Sequence, residues 1–285
     1  MKKLSLALFI IIIAGSCNPA DKIKNYSGWS ISVLPSSVRL DPTSNTIIDN
    51  RFVILRDDPV QQEDMLEKNL VFDGKKVLLH SARGEYISFQ LVITNNNTEI
   101  LDNIRIDIPA FTGNNGQFNI KPELFLEWSV EVKSPSPGYP EASLGNGWYP
   151  DALIPFSYIQ DDSSKVRHRW TYPLWLPDFN NRIDNQKSMI VWIDQYVPFK
   201  KEETLPGTYT TKLSVTIGSE TREIPVELTV WDFSIPNGNR FKAGLQHEGF
   251  MKSMNEKQEL AVYQLLKRNR IAMLDPTYEP EMKIL

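Results

Sequence analysis

Aromatic rings and a carboxylate stand close together in the segment Gly145–Tyr158, which reads GNGWYPDALIPFSY. Trp148, Tyr149 and Asp151 are a set that could bind a sugar, because the rings would stack on the pyranose faces while the carboxylate accepted hydrogen bonds from hydroxyl groups. The alternative is structural. The two prolines of the segment fix φ and lack amide donors, which predicts a loop that plugs one end of the fold or contacts a neighbouring domain. In that case Asp151 caps amides of its own turn.

Two later stretches contain further candidate binding residues. His168–Trp175 holds Trp170 and Trp175, whose rings could form a platform for a carbohydrate or could pack in a core or an interdomain seam. His247 and Glu248 follow the first strand expected in the C-terminal segment, a position where ligand-binding loops lie in α/β barrels. These two side chains could contact a ligand or form an ordinary solvated pair, and the sequence leaves both alternatives open.

The sequence assigns no catalytic residue, metal ligand or cofactor. Three histidines and one cysteine argue against a zinc site, and the acidic pairs Asp57-Asp58 and Asp161-Asp162 lack the regular ligand alternation of a calcium loop. No nucleophile–base pairing is visible in the residue order. A formal net charge of −4 without a basic block also argues against a nucleic-acid partner.

The N-terminus has the pattern of an export signal. Two lysines precede an apolar run from Leu4 to Ile13, which is too short to cross a bilayer, since a spanning helix needs about 20 residues. The segment Ala14–Cys17 resembles a bacterial lipobox, and Cys17 is the only cysteine. We therefore expect residues 1–16 to be a lipoprotein signal peptide, with the protein exported and anchored by lipid at Cys17 in the bacterial cell envelope. The alternative is a plain signal peptide that contains a cysteine.

Residues 17–28 are polar and are expected to be a tether, whereas the region 29–236 alternates in the manner of β-strands. Ile104–Ile108 places three isoleucines on one face of a strand. The short turn between Thr210–Ile217 and Arg222–Val230 is typical of a hairpin. Gln61–Leu70 is polar and could form a helical turn, which the sequence leaves open. The pattern predicts a mainly β fold, a jelly-roll-like β-sandwich of about eight strands.

Residues 237–285 have a different pattern. Phe241–Gln246 and Arg270–Leu274 are expected strands, and Asn255 is the expected N-cap of a helix over Glu256–Arg268. A single strand–helix–strand unit cannot bury both faces of a parallel pair, so we expect this segment to begin a larger α/β domain that the chain does not contain. The alternative is a small appendage that folds back on the sandwich.

Several segments, in this order and at this spacing, resemble the N-terminal part of glycoside hydrolase family 123. They are Ala82–Tyr86 with Phe89–Val92, Trp148–Pro155, and Pro206–Tyr209 with Leu228–Pro236. The resemblance implies a β-sandwich followed by a (β/α)₈ barrel that hydrolyses N-acetylgalactosaminides. It also implies an Asp-Glu pair that works with the substrate's own acetamido group as nucleophile, a departure from the usual scheme of two carboxylates.

No catalytic residue is transferred from that family, because no adjacent Asp-Glu pair follows Pro236. The leading hypothesis is a non-catalytic N-terminal sandwich portion of an exported glycoside hydrolase-like lipoprotein, with the barrel largely missing from this chain. The resemblance implies a glycan containing N-acetylgalactosamine as partner. The alternatives are a self-sufficient cell-surface carbohydrate-binding or adhesion module, and an active enzyme whose site is built in the sandwich.

Overall fold

Long strands dominate the computed structural model, which describes residues 28–48, 62–113, 116–134, 144–161, 171–172, 174–178, 181, 183–236, 244–246, 254–269 and 271–274. In chain order the strands are β1 (Trp29–Pro35), β2 (Val77–Arg83), β3 (Glu85–Asn95), β4 (Leu101–Asp107), β5 (Thr112–Gly113), β6 (Gly116–Gln117), β7 (Glu123–Val132), β8 (Gly147–Pro155), β9 (Gln160–Asp161), β10 (Thr171–Tyr172), β11 (Leu174–Leu176), β12 (Ser188–Val197), β13 (Gly207–Ile217), β14 (Glu220–Ser234), β15 (Gly244–Gln246) and β16 (Ala272–Leu274). The helices are α1 (Gln62–Glu67) and α2 (Glu256–Arg268), with a 3₁₀ turn at Phe156–Tyr158.

Two sheets make up most of the described chain. Sheet I has the strand order β1-β3-β12-β7-β8, and sheet II has the order β11-β4-β13-β14-β2, with the short strands β5 and β6 attached through β13. The expected hairpin is present, because β13 and β14 pair antiparallel from Gly207 opposite Val230 to Ile217 opposite Glu220. The prediction of a mainly β fold is confirmed.

The core is one apolar cluster to which both sheets contribute. Sheet I supplies alternate residues of β3 and β12, and sheet II supplies alternate residues of β13 and β14, as expected for two sheets packed face to face. The members with no exposed surface include Leu91, Ile93, Val191, Ile193, Leu213, Val215, Ile224 and Leu228. Because these residues point inward, the residues between them point outward, toward solvent or covering loops.

Sheet I is also covered on part of its second face. Val92 and Ile190 point away from the core and pack with Leu34, Leu40 and Ile47, and the helix α1 adds Met65 and Leu66 to this second cluster. The polar segment around α1, which the sequence left unassigned, is therefore a short helix with its apolar residues against the sheet.

The segment with the two prolines is a strand, not the loop that the sequence predicted. Among the described strands, β8 is the edge strand of sheet I and pairs with β7, so Pro150 and Pro155 lie where none of these strands requires their amides. The register shifts between Trp128 and Ser129, which face Ala152 and Pro150. Asp151 is the extra residue of this bulge, and it is exposed rather than capping a turn.

A three-residue contact joins the two sheets at one end. The Arg222 guanidinium of β14 lies 3.8 Å from the ring centroid of Trp29 in β1, and Arg222 also donates a 2.6 Å hydrogen bond to the backbone oxygen of Trp29. The Trp29 indole N–H donates to Glu220 Oε2 at 3.0 Å, and Arg222 donates two hydrogen bonds to Glu220 Oε1. The hydrogen bonds from Arg222 hold the pKa of Glu220 below its ordinary value of 4.5.

A second compact unit begins at Ser234. Its described strands β15 and β16 pair in parallel, with Gly244 opposite Ala272, and α2 lies between them in sequence. Helix α2 has the bounds and the N-cap that the sequence predicted. Asn255 accepts a hydrogen bond from the backbone of Gln258, whose side chain accepts one from the Asn255 amide. That this unit begins a barrel stays a prediction.

We expect Glu220→Gln to lower the free energy of unfolding at pH 7, because the variant loses the ion pair with Arg222. The loss should be only roughly 0.5–1 kcal/mol, because solvent screens a half-exposed ion pair. The folded pKa of Glu220 is lowered, so the contribution of its charge is present above pH 4.5 and is lost as the pH falls through that folded pKa. Urea unfolding at a series of pH values should therefore show that the free energies of unfolding of wild type and variant become equal in acid.

The matched control for Glu220→Gln is Glu223→Gln on the same strand. Glu223 forms an exposed pair with Lys212 at 2.8 Å, whereas the indole N–H of Trp29 donates to Glu220. This substitution is expected to change stability by only a few tenths of a kcal/mol, roughly as for exposed pairs in general. Equal losses of unfolding free energy in the two variants would show that the contact of Glu220 with Trp29 and Arg222 adds no stability beyond that of an exposed ion pair.

Candidate functional site

A cleft of about 460 Å³ lies beside β4 and β13 of sheet II. Four polar and three apolar residues line it: Arg105, Asp107, Ser214, Thr216, Ile106, Phe156 and Ile159. This volume falls within the range of about 300–1,000 Å³ that is typical of small-molecule sites.

The polar side chains are placed by strand register. Asp107 pairs with Ser214 and Arg105 pairs with Thr216 across the antiparallel strands, which brings the Cβ atoms of each pair to roughly 5 Å. Their sequence neighbours such as Ile106 are buried in the core, so the four polar residues share the outward face. The Ser214 hydroxyl also donates to the backbone oxygen of Asp107 at 3.3 Å.

The apolar wall of the cleft comes from the turn that directly follows β8. Phe156 is half-buried and Ile159 is buried. The Ile159 amide donates to the Phe156 oxygen at 3.0 Å and closes the 3₁₀ turn. The cleft therefore combines one cation, one anion, two hydroxyl groups and an aromatic ring, which suits binding of a polar molecule more than nucleophilic chemistry.

A buried carboxyl group lies elsewhere, in sheet I. Glu127 of β7 is only 9% exposed, and its Oε2 has no hydrogen-bond partner among the residues that the structure describes. Leu126 next to it faces the core, so Glu127 lies on the other face of the sheet, opposite Leu153 of the edge strand. Burial raises the pKa of Glu127 from 4.5 to about 7, because the charged form loses its hydration.

Exposed rings form a third feature, near the end of the first unit. The rings of His80 and Trp231 stack at 5.9 Å, and those of Trp231 and Phe233 stack at 5.8 Å. Trp231 is 45% exposed and Phe233 is 52% exposed. Asp232 lies between Trp231 and Phe233 in the sequence, and it accepts a hydrogen bond from the buried Arg83 at 3.3 Å. We call His80, Trp231 and Phe233 the ring stack.

The residues that the sequence singled out in β8 do not form one surface. Trp148 and Tyr149 are adjacent in the strand, so their side chains leave on opposite faces. The Tyr149 hydroxyl donates to the Gly145 backbone oxygen at 2.7 Å, which ties the ring to the start of its own segment. Asp151 is exposed at the bulge. A sugar-binding role for these residues stays a prediction.

Trp175 lies on the outward face of sheet II. It is 44% exposed between the buried residues Leu174 and Leu176 of β11, and Leu174 pairs with Ile104 of β4. Trp175 is therefore not a core residue, and it faces the same side of the sheet as Arg105. The remaining predicted residues lie outside the described part of the chain: Cys17, Trp170, His247 and Glu248.

Sequence reasoning missed the residues of the cleft, although part of the signal was visible. The alternation in Ile104–Ile108 predicts a buried isoleucine face, and the same alternation places Arg105 and Asp107 together on the opposite face. Ser214 and Thr216 alternate in the same way, but nothing in the sequence says that their strand pairs with β4. Glu127 lies in an alternating stretch of sequence, and nothing in that stretch indicates that its side chain is buried.

No protein-family model matches the sequence, and no curated protein sequence is similar to it. The fold of the chain is similar to that of a family 123 glycoside hydrolase. This solved structure, from Clostridium perfringens, concerns hydrolysis of glycolipid glycans. It matches with a TM-score of 0.56 and 12% sequence identity, over 85% of this chain and 36% of that chain. The chain therefore spans little more than a third of the length of that hydrolase.

Two further solved structures match less well. AvmM, which catalyses macrocyclization in alchivemycin A biosynthesis, has a TM-score of 0.27 and 10% identity over 56% of this chain and 87% of its own. AggA, the major subunit of aggregative adherence fimbriae type I from Escherichia coli, has a TM-score of 0.22 and 11% identity over 54% of this chain and 89% of its own. Scores this low do not indicate a shared fold.

The described ranges hold neither a membrane-spanning helix nor a cluster of metal ligands. None of the helices there is both long and apolar enough to cross a membrane. No group of three or more His, Cys, Asp or Glu side chains within the same ranges is arranged to hold a metal ion.

We expect Glu127→Gln to change how stability depends on pH. Because the folded pKa of Glu127 is raised, the wild-type carboxyl contributes most below pH 4.5, and this contribution is lost as the pH rises through about 7. We compare the free energy of unfolding of the variant with that of wild type at each pH. Between acid and pH 8 or above, this difference should shift in favour of the variant by up to about 3 kcal/mol, since one pKa unit corresponds to about 1.4 kcal/mol. Denaturant unfolding at pH 4 to 9 measures this difference.

The control for Glu127→Gln is Glu131→Gln, at an exposed position on the same strand that pairs with Lys133 at 3.2 Å. Its effect on stability should stay constant over the same pH range. A pH-independent difference between wild type and Glu127→Gln would contradict the assignment of a raised pKa to this carboxyl.

Proposed function

We propose that this chain is the N-terminal sandwich portion of an exported glycoside hydrolase-like lipoprotein of the N-acetylgalactosaminidase type. In this proposal the sandwich supports a catalytic barrel that is supplied outside the present sequence. The sandwich itself performs no hydrolysis. The single observation that carries the proposal is the fold similarity to the family 123 hydrolase, which covers 85% of this chain but only 36% of that enzyme.

The second unit adds support. Its parallel strands β15 and β16 are joined through the capped helix α2, and this is the connection from which (β/α)₈ barrels are built. Barrel sites draw their catalytic residues from the ends of several strands, and two described strands of this type are too few to form such a site. The proposal therefore places hydrolysis in a further segment or chain.

The N-terminal pattern supports export and anchoring. Cys17 follows a charged and apolar segment of the kind that directs secretion, and the polar residues 17–28 precede the first strand. In the proposal, lipid attached at Cys17 holds the sandwich near the membrane of the cell envelope, within reach of a glycan that contains N-acetylgalactosamine.

The chain by itself should not hydrolyse nitrophenyl N-acetylgalactosaminides of either anomer. Release of nitrophenol should stay at the level of the enzyme-free blank, and an N-acetylgalactosaminidase of known activity serves as the positive control. Turnover that follows the purified chain through two chromatographic steps would contradict the non-catalytic assignment.

Cys17→Ala should abolish lipid attachment. In a bacterial host fed an alkyne fatty acid, the wild-type chain should take up the label and sediment with membranes, and the variant should do neither. Ser27→Ala, in the expected tether, is the matched control and should behave as wild type. A wild-type chain that is exported without label would refute anchoring while leaving the fold-based part of the proposal intact.

A further inference from the structure

We infer that Asn146 is a site of spontaneous deamidation, at which the folded protein converts an exposed side-chain amide into a carboxylate. This inference goes beyond the proposed function, because it concerns a covalent change in the sandwich and depends neither on a catalytic barrel nor on a bound glycan.

Asn146 lies between two glycines just before the edge strand β8. Its side chain is exposed, and apart from chain neighbours no heavy atom lies within 4 Å of the place that a Cβ on Gly145 would take. The next residue is Gly147, which has no side chain to hinder an approach to its amide nitrogen. Asparagine is one of the thermolabile residues of proteins. An exposed asparagine followed by glycine is therefore a favourable place for attack of the backbone on the side-chain amide.

The backbone on both sides of Asn146 has the freedom that this attack needs. Gly145 has a φ of 89° and Gly147 has a φ of 148°, values that residues with a Cβ rarely adopt. Gly147 is the first residue of β8, and it pairs with Val132, the last residue of β7. Because the ends of structural elements open at little cost in free energy, the Gly147 nitrogen can reach the Asn146 side chain without unfolding of the sheet.

The reaction needs only water as a co-reactant. The Gly147 nitrogen loses its proton and forms a bond to Cγ of Asn146, while the bond from Cγ to Nδ2 breaks and ammonia leaves. Water then adds its hydroxyl to one of the two carbonyl carbons of the resulting cyclic imide, and its remaining hydrogen returns to the ring nitrogen as the bond between them breaks. The product is aspartate or isoaspartate, depending on the carbon attacked, and nothing is oxidised or reduced.

The products alter the start of β8 in two ways. Each places a negative charge at position 146, and isoaspartate also adds one backbone carbon between residues 146 and 147. That carbon lies inside the loop that the Tyr149 hydroxyl closes by donating to the Gly145 backbone oxygen at 2.7 Å. The added length works against this hydrogen bond, and therefore against the placement of Trp148 and Tyr149.

Ageing of the full chain, purified in detergent, tests the inference. Samples held at pH 6 and pH 8 are digested with a protease that works in acid, and mass spectrometry measures the conversion of amide to acid at position 146. A sample digested at once gives the background. We expect two acidic products, aspartate and isoaspartate, and faster conversion at pH 8, because the attacking nitrogen must first lose its proton. Asn103 is the internal control, since it is exposed but precedes Ile104, and it should keep its amide.

Asn146→Gln is the matched variant, because its longer side chain would have to close a larger ring. It should show no acid at position 146 in samples in which wild type has converted. Wild type held in urea gives the rate of the unfolded chain. Conversion in urea with none above background in the folded chain overturns the inference, since the fold would then protect Asn146. Equal conversion at Asn103 also overturns it, since exposure alone would then select the site.

Hydrogen exchange tests the effect on the strand. Aged wild type should exchange faster than fresh protein at the start of β8, because isoaspartate strains the loop that the Tyr149 hydroxyl closes. Aged Asn146→Gln should exchange at the rate of fresh protein. Equal exchange in aged and fresh wild type, at a measured content of isoaspartate, would overturn this part of the inference.

Discussion

Strand register is the constraint on which the architecture depends. Alternate side chains of β4 (Ile104 and Ile106) and of β13 (Leu213, Val215 and Ile217) are buried between the sheets, and a slip of one residue would turn this apolar set to the outside. The same register sets Arg105 opposite Thr216 and Asp107 opposite Ser214. The geometry of the cleft is thus a by-product of core burial, and it needs no dedicated loop to hold its polar groups.

The edge strand β8 links the buried Glu127 of sheet I with the cleft beside sheet II. Its pairing with β7 places Leu153 opposite the buried Glu127. Its last residue, Pro155, leads directly into the turn that carries Phe156 and Ile159 to the cleft. An edge strand tolerates prolines because one side of its backbone needs no ladder, and proline then fixes the exit direction of the chain. Prolines, which would exclude a segment from the middle of a sheet, are therefore compatible with this edge strand.

Local patterns predicted much of this architecture. The mainly β class, the hairpin of β13 and β14 and the capped helix α2 all follow from short-range rules of alternation, turn length and capping. The strand β8 was missed because its prolines were weighed without knowledge of its edge position. The cleft was missed for a different reason, because Asp107 and Ser214 are 107 residues apart and no local rule reports that pairing.

The contact of Trp29 with Arg222 has a mechanical consequence. Any tension applied through the residues before Trp29 enters the sandwich at the first residue of β1, and it passes at once through the guanidinium to β14. β14 runs on as one continuous strand to Ser234, where the second unit begins. A pull between the two ends of the sandwich therefore loads a strand of each sheet together, and β1 cannot be peeled away without first breaking this cross-link.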